Sequence, residues 1–123
     1  MKLYWSMPKG LKTHYRKELE KFRIEMASAN LPLAWRQLER AHILGQPWLI
    51  QHTQVHWLML IFGIKLKRKK EVFGQLPRLM VGGIKSFVGK IPNGNTGGAD
   101  VPPLKVMEIP EDLKTIMRPF RNP

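Results

Sequence analysis

The sequence predicts an all-α protein, a four-helix arrangement of two helical hairpins followed by an irregular C-terminal segment. Apolar residues recur at three- and four-residue spacing up to about residue 81, and a Gly/Pro-rich stretch follows. The 123 residues are 43% hydrophobic, which is enough to form one core. We expect a single domain over residues 1–123. It divides into hairpins at 9–81, an irregular loop segment at 82–109, and a short helix and tail at 110–118.

The first hairpin follows from an amphipathic pattern and its breakers. The first helix is predicted over residues 9–29, where Tyr15 and Leu19 belong to one apolar face, and Asn30 is its expected stop. Pro32 suits the first turn of the second helix, because a proline there loses no hydrogen bond. Gly45 is the expected end of that helix.

The second hairpin and the terminal helix are predicted from similar signals. Pro47 starts the third helix, which runs to about Leu66 with one apolar stripe. A fourth helix is expected over residues 69–81, with a kink or early end at Pro77. A short helix starts at Pro110, with two acidic residues in its first turn.

The two hairpins resemble tetratricopeptide-type repeats. Small and apolar residues of the second helix recur in the fourth at a constant offset, Ala34, Leu38 and Ala41 matching Val72, Leu76 and Leu79. The aromatic positions of that repeat are not cleanly filled, and two units are fewer than a stable solenoid normally has. The prediction is therefore a tetratricopeptide-like pair of hairpins capped by the C-terminal segment.

Composition restricts the chemistry and indicates a compartment. The chain has no cysteine, which excludes disulfides, thiol nucleophiles and cysteine metal ligands. The N-terminal residues lack the pattern of a secretory signal, and the most apolar stretch, 55–64, is too short to span a bilayer. We expect a cytoplasmic protein without a transmembrane span.

Three of the four histidines fall in one short window and indicate a metal site. His52 and His56 are four residues apart and share a helix face, while His42 and Glu39 lie on the preceding helix. The turn between the helices places His42 and His52 at similar heights. Nitrogen and oxygen donors of this kind bind Zn, Fe, Cu or Ni. The predicted metal ligands are Glu39, His42, His52 and His56.

Two other interpretations of this cluster stay open. The histidines could form a structural polar cluster without a metal, since pairs at this spacing arise easily by chance. The second interpretation is an enzyme. None of the serines lies in a nucleophile-elbow motif, so no catalytic residue is assigned. If the protein is an enzyme, a metal-activated water at this site is the expected centre, with Glu39 as ligand or base.

A glycine-rich loop provides a weaker candidate site. The stretch 92–100 contains the residues that could surround an anion with backbone amides, namely Asn93, Asn95, Thr96, Gly97, Gly98 and Asp100. It is neither a Walker loop nor a dinucleotide fingerprint, because the flanking residues do not fit. The alternative is a series of tight turns that hold the C-terminal segment against the helices.

The net charge of +12 favours an acidic partner. The one dense basic run, a candidate patch for an acidic protein, nucleic acid or an anionic membrane surface, comprises Lys65, Lys67, Arg68, Lys69 and Lys70. The alternative is a solvated turn after a buried helix. Trp35, Trp48 and Trp57 could stack on single-stranded nucleic acid, but core positions are the favoured interpretation.

Four segments together resemble a known family. LERAHILGQ, HTQVHW, GQLPRL and GNTGGADV are similar, in this order, to a small bacterial family named as domain of unknown function 3703. The resemblance covers roughly residues 15–115. It implies a bacterial origin, and it places the histidine set and the glycine-rich loop in one signature. It implies no activity.

The leading hypothesis is a small intracellular bacterial protein that binds a transition metal between two helices. The alternative is a tetratricopeptide-like interaction module whose basic surface binds an acidic protein, nucleic acid or anionic lipid.

Overall fold

The fold is all-α in the part of the chain that the computed structural model describes, residues 5–75, 96–98 and 107–120. No strand occurs in these ranges. The helices are α1 (Lys9–Ala27), α2 (Leu31–Gly45), α3 (Leu49–Lys65), α4 (of which residues 69–75 are described) and α5 (Glu111–Met117), which continues into a 3-10 turn at Arg118–Phe120.

The predicted helix positions agree with this structure apart from small shifts at the ends. α1 stops before residue 29 because Ala29 has a left-handed φ of 58° and turns the chain. α3 starts at Leu49 rather than Pro47, because the N–H of Trp48 donates to the carbonyl of Gly45 in a tight turn (2.9 Å). The remainder of the predicted fourth helix and most of 82–109 lie outside the described residues. The tetratricopeptide-like arrangement therefore stays a prediction.

The core lies where α1, α2 and α3 meet, with α5 packed against α1 and α2. Its members include Leu11, Leu38, Val55 and Leu113, all fully buried. Burying a leucine side chain contributes about 1.5–3 kcal/mol, so this interface is the main source of stability. No helix in the described ranges is both long and apolar enough to cross a membrane.

The three tryptophans considered for stacking, out of four in the chain, have different environments. Trp48 is buried as predicted, and Trp35 is half-buried against the ring of Phe62, with 5.0 Å between the ring centroids. The prediction of a core position is wrong for Trp57, whose side chain is 55% exposed. Trp57 follows His56 directly, so it extends from a different side of α3 than the buried histidines.

Arg40 joins three helices through its guanidinium group. Its Nε and Nη2 donate to the two carboxylate oxygens of Glu18 on α1, at 3.1 and 3.2 Å. Its Nη1 and Nη2 donate to the carboxylate of Asp112 on α5. The planar guanidinium suits two carboxylates at once, so this side chain fixes α5 on the α1–α2 hairpin.

The Arg40–Asp112 pair predicts a pH dependence of stability. The hydrogen bond from Arg40 holds the pKa of Asp112 below its ordinary value. The pair therefore stabilises the fold above the ordinary aspartate pKa, about 3.9, and this contribution is lost as pH falls through the lowered pKa. Since the Asp112 side chain is 58% exposed, we expect Asp112→Asn to cost no more than about 1 kcal/mol at neutral pH.

Urea unfolding of both proteins from neutral pH to about pH 2 measures this effect. The difference in unfolding free energy should shrink towards zero in acid. Glu108→Gln, which removes another exposed carboxylate, is the matched control and should show little change. A difference for Asp112→Asn that is the same at all pH values would contradict the assignment.

Candidate metal centre

The side chains of His42, His52 and His56 converge on one point between α2 and α3. Their Nε2 atoms form a nearly equilateral triangle, with separations of 3.1 Å (His42–His56), 3.1 Å (His42–His52) and 3.0 Å (His52–His56). The three rings are steeply inclined to one another, with interplanar angles of 62–76°. All three residues are at most 6% exposed.

Local structure explains the convergence. His42 lies in the last turn of α2, and a short turn leads into α3, whose first turn is closed by the hydrogen bond from His52 N–H to Trp48 carbonyl (2.8 Å). His52 and His56, one turn apart, lie above one another on α3. Gly45 allows the two helices to approach, because a Cβ there would lie 3.1 Å from the Cβ of Gln51.

Gln75 on α4 determines which nitrogen of His56 carries a proton. The amide nitrogen of Gln75 donates to a carboxylate oxygen of Glu71 (2.9 Å) and to the carbonyl of Gly97 (2.8 Å), and both of these atoms are acceptors. This fixes the amide so that its oxygen, Oε1, lies 2.6 Å from His56 Nδ1. An amide oxygen only accepts, so Nδ1 is the donor, and Nε2 presents its lone pair to the cluster when the ring is neutral.

Three nitrogens in a closed triangle cannot all hydrogen-bond well to one another. Each hydrogen bond needs one donor and one acceptor, so at least one pair around a three-membered ring has two donors or two acceptors. With the Nε2 of His56 an acceptor, two cases remain. If the Nε2 atoms of His42 and His52 are both donors, they conflict with each other, and if either is an acceptor, it conflicts with His56. A metal cation removes the conflict, because it accepts one lone pair from each ring at the same time.

The glycine-rich loop reaches this cluster through Gly97. The residue has a left-handed φ of +84°, and a Cβ on it would lie 2.7 Å from Nε2 and 2.5 Å from Cδ2 of His42. Glycine therefore keeps open the space beside the nitrogen that would bind a metal. The preceding residue, Thr96, is 8% exposed, and its hydroxyl has no hydrogen-bond partner in the described parts of the chain. A buried unsatisfied hydroxyl calls for an explanation such as a bound ion or water.

Glu39 is not part of this cluster. In the described ranges, the possible ligand atoms within 4.8 Å of one another belong to the three histidines, and this is the group that could hold a metal ion. The carboxylate of Glu39 instead lies 3.6 Å from a guanidinium nitrogen of Arg36, its neighbour on α2. Of the weaker loop site, Thr96, Gly97 and Gly98 are buried, whereas Asn93, Asn95 and Asp100 lie outside the described residues.

Sequence reasoning missed Glu71 and Gln75, which are 9% and 0% exposed. Both lie on α4, four residues apart, and Gln75 is three residues after Val72, an apolar residue of the predicted fourth helix. A glutamine at helical spacing from an apolar residue was the signal that could have found it. The contact with His56 could not be predicted, because it depends on how α4 packs on α3.

The five residues of the basic run, in contrast, are all exposed. Residues 66–68 form the turn between α3 and α4, and binding of an acidic partner by the run stays a prediction.

Replacement of Gly97 tests the contact between the loop and His42. We expect Gly97→Ala to lower the unfolding free energy by about 2–4 kcal/mol, through left-handed backbone strain and overlap with the imidazole ring. Chemical denaturation in the presence of a chelator measures this effect without metal. In a His42→Ala background the overlap disappears, so only the backbone strain should remain. An equal cost in both backgrounds would show that the ring is not in contact.

Comparison with known proteins identifies the family. A family model described as "Protein of unknown function (DUF3703)" matches residues 9–117, which include the three histidines, Gln75 and Gly97. Neither the search of curated proteins nor that of solved structures gave a match. The resemblance seen in the four sequence segments is thereby confirmed: the chain belongs to the DUF3703 family.

Proposed function

We propose that this protein binds one transition metal ion through the Nε2 atoms of His42, His52 and His56. The observation that carries the proposal is the triangle of Nε2 atoms, 3.0–3.1 Å on each side, in a buried site. Glu39, proposed from the sequence as a fourth ligand, is not included.

The size of the triangle fits a metal. An ion about 2.0–2.1 Å from each nitrogen would lie roughly 1 Å out of the plane of the three nitrogens, with N–metal–N angles of roughly 95–100°. These angles lie between octahedral and tetrahedral values. Three protein ligands on one side of the ion leave room for water or another ligand on the other side. Sites with such an open position differ from structural sites, in which four protein ligands enclose the ion.

The donor set restricts the choice of metal. Three imidazoles suit Zn, Cu, Fe and Ni, whereas Mg and Ca prefer oxygen ligands. With no cysteine in the chain, thiolate ligation is excluded, and so are iron–sulfur clusters held by cysteine. When bound, such an ion would supply a Lewis acid that polarises a carbonyl or phosphoryl oxygen or lowers the pKa of a bound water.

Residues around the ligands support the same role. Gln75 orients His56 with its lone pair towards the ion, and Glu71 and the Gly97 carbonyl in turn hold the Gln75 amide. Outer hydrogen bonds of this kind are what histidine metal ligands normally have. The missing Cβ of Gly97 leaves room at the site. A bacterial origin and a cytoplasmic setting belong to this proposal as expectations from the sequence.

Metal content provides the direct test. Protein without an affinity tag is stripped with a chelator, incubated with Zn²⁺, Co²⁺, Ni²⁺, Cu²⁺ or Fe²⁺, desalted and measured by elemental analysis. We expect about one ion per chain for at least one metal, and an absorption band typical of imidazole-bound Co²⁺. Absence of stoichiometric metal under all these conditions would refute the proposal.

Single substitutions locate the ligands. His42→Ala, His52→Ala and His56→Ala should each abolish stoichiometric binding, because two imidazoles alone bind far more weakly. His14→Ala, on α1, is the matched control and should keep full metal content. Glu39→Ala should also keep it, and a loss in this variant would restore the glutamate as a ligand. Circular dichroism of each variant separates loss of a ligand from loss of the fold.

Gln75 provides a subtler test of the geometry. We expect Gln75→Leu to weaken metal affinity about 10–100-fold, because His56 loses the hydrogen bond that orients its ring. Competition with a chromophoric chelator measures the affinity, and metal stoichiometry at saturation should stay at one. An unchanged affinity would show that the amide does not position the ligand.

A further inference from the structure

A concave feature lies beside the turn between α3 and α4, and none of the three histidines is among the described residues that line it. Two adjacent cavities, of about 520 and about 540 Å³, share Trp35 and Arg68 as walls. We call the two cavities together the amphipathic groove. Each cavity is within the size range of small-molecule sites, about 300–1,000 Å³.

The two ends of the groove differ in chemistry. Leu31, Pro32 and Leu66 line one end in addition to the two shared residues. Lys69, Lys70 and Glu71 line the other end. A ligand that fills both ends must have an apolar part and a polar part.

The cationic end is held in place by a close helix–helix contact. The N–H of Arg68 donates to the carbonyl of Gly63 (2.8 Å), and Lys67 takes a left-handed φ of 54° to make the turn. A Cβ on Gly63 would lie 3.0 Å from the Cβ of Glu71, so glycine allows α4 to pack directly on α3. The basic side chains therefore project from a backbone that packing has already ordered.

The net charge of this end is positive in spite of Glu71. The carboxylate of Glu71 accepts a hydrogen bond from Gln75 (2.9 Å), and the residue is only 9% exposed. Arg68, Lys69 and Lys70 are exposed, and their heads are accessible to a ligand. An anionic group is the complement of this arrangement.

We infer that the amphipathic groove binds a small amphiphilic anion, a hydrocarbon chain or ring that carries a carboxylate or phosphate group, as a free molecule from solution. The hydrocarbon lies between Leu31, Leu66 and the indole of Trp35, and the anion lies against Arg68 and the two lysines. A nucleic acid has no hydrocarbon for the apolar end, and a flat membrane surface matches a protruding rather than a concave site.

Titration with dodecanoate and dodecyl phosphate, both below their micellar concentrations, tests this inference by calorimetry and tryptophan fluorescence. We expect saturable binding and a change in emission that persists in Trp57→Phe and disappears in Trp35→Phe. The titrations are repeated in the presence of a chelator and with bound metal, because none of the three histidines is among the described residues that line the groove. Failure of either site is therefore seen separately.

Charge variants locate the anion. We expect the triple substitution Arg68→Gln, Lys69→Gln and Lys70→Gln to weaken binding at least about tenfold, through loss of charge-assisted contacts. The matched control, Lys9→Gln, Lys17→Gln and Lys21→Gln, removes the same charge from exposed positions on α1 and should change the affinity less than about threefold, mainly through long-range screening effects.

Ligand controls give the outcomes that would overturn the inference. Dodecyltrimethylammonium has the chain with the opposite charge, while butanoate and inorganic phosphate have the anion without the chain. Equal binding of the cationic amphiphile, or of the short anions, would show that the groove does not select for both properties. Binding only to vesicles of anionic phospholipid, with none to the free amphiphiles, would assign the surface to membranes instead.

Discussion

The nitrogen triangle depends on the register between α2 and α3. An α-helix advances about 1.5 Å per residue and turns about 100°, so a one-residue slip would turn His42 away from the other two rings. The tight turn at residues 46–48 prevents such a slip, and the close approach at Gly45 holds the start of α3 against the end of α2. The buried leucines of the same interface stabilise this register, so the hydrophobic core and the candidate metal centre support one another.

The cost of burying polar groups explains the second layer of the site. Imidazoles, a glutamine amide and a carboxylate occupy a region that is nearly inaccessible to water, and each unsatisfied group there would cost about 1–3 kcal/mol. Gln75 reduces that cost because it satisfies His56, Glu71 and the Gly97 carbonyl through one side chain. What it cannot satisfy is the mutual conflict of the three ring nitrogens, and this residual conflict is the physical argument for a cation.

Periodicity predicted the helices of the described ranges and the convergence of three histidines, whereas metal binding by these histidines stays a proposal. Spacing along α3 decides that His52 and His56 share a face, and a short turn decides that His42 is nearby. Glu39 does not join the histidine group, because helical spacing places it near His42 without deciding whether its long side chain turns inward or towards Arg36. The exposure of Trp57 shows the same limit, since local apolar character does not reveal which side of a helix is covered.

Contacts between distant segments could not be predicted in this way. The position of Gln75 against His56, and that of Gly97 against His42, depend on tertiary packing that leaves no periodic signal. Arg40 is similar: its position on α2 is evident from the sequence, but its two partners on α1 and α5 are not. The signals that remain are residue types, a glutamine on a helix and glycines in a loop. They indicate candidate residues but do not identify the residues that these contact.

Glu71 belongs to both features of the molecule, since its side chain lines the cationic end of the groove and holds the amide that orients His56. A ligand that pulls this carboxylate towards the groove would weaken its hydrogen bond to Gln75 and, through it, the alignment of one imidazole. Thermodynamic linkage then makes the effect reciprocal: occupancy of either place would change the affinity of the other by the same factor. The described part of α4, residues 69–75, would in that case couple binding in the groove to binding at the histidines.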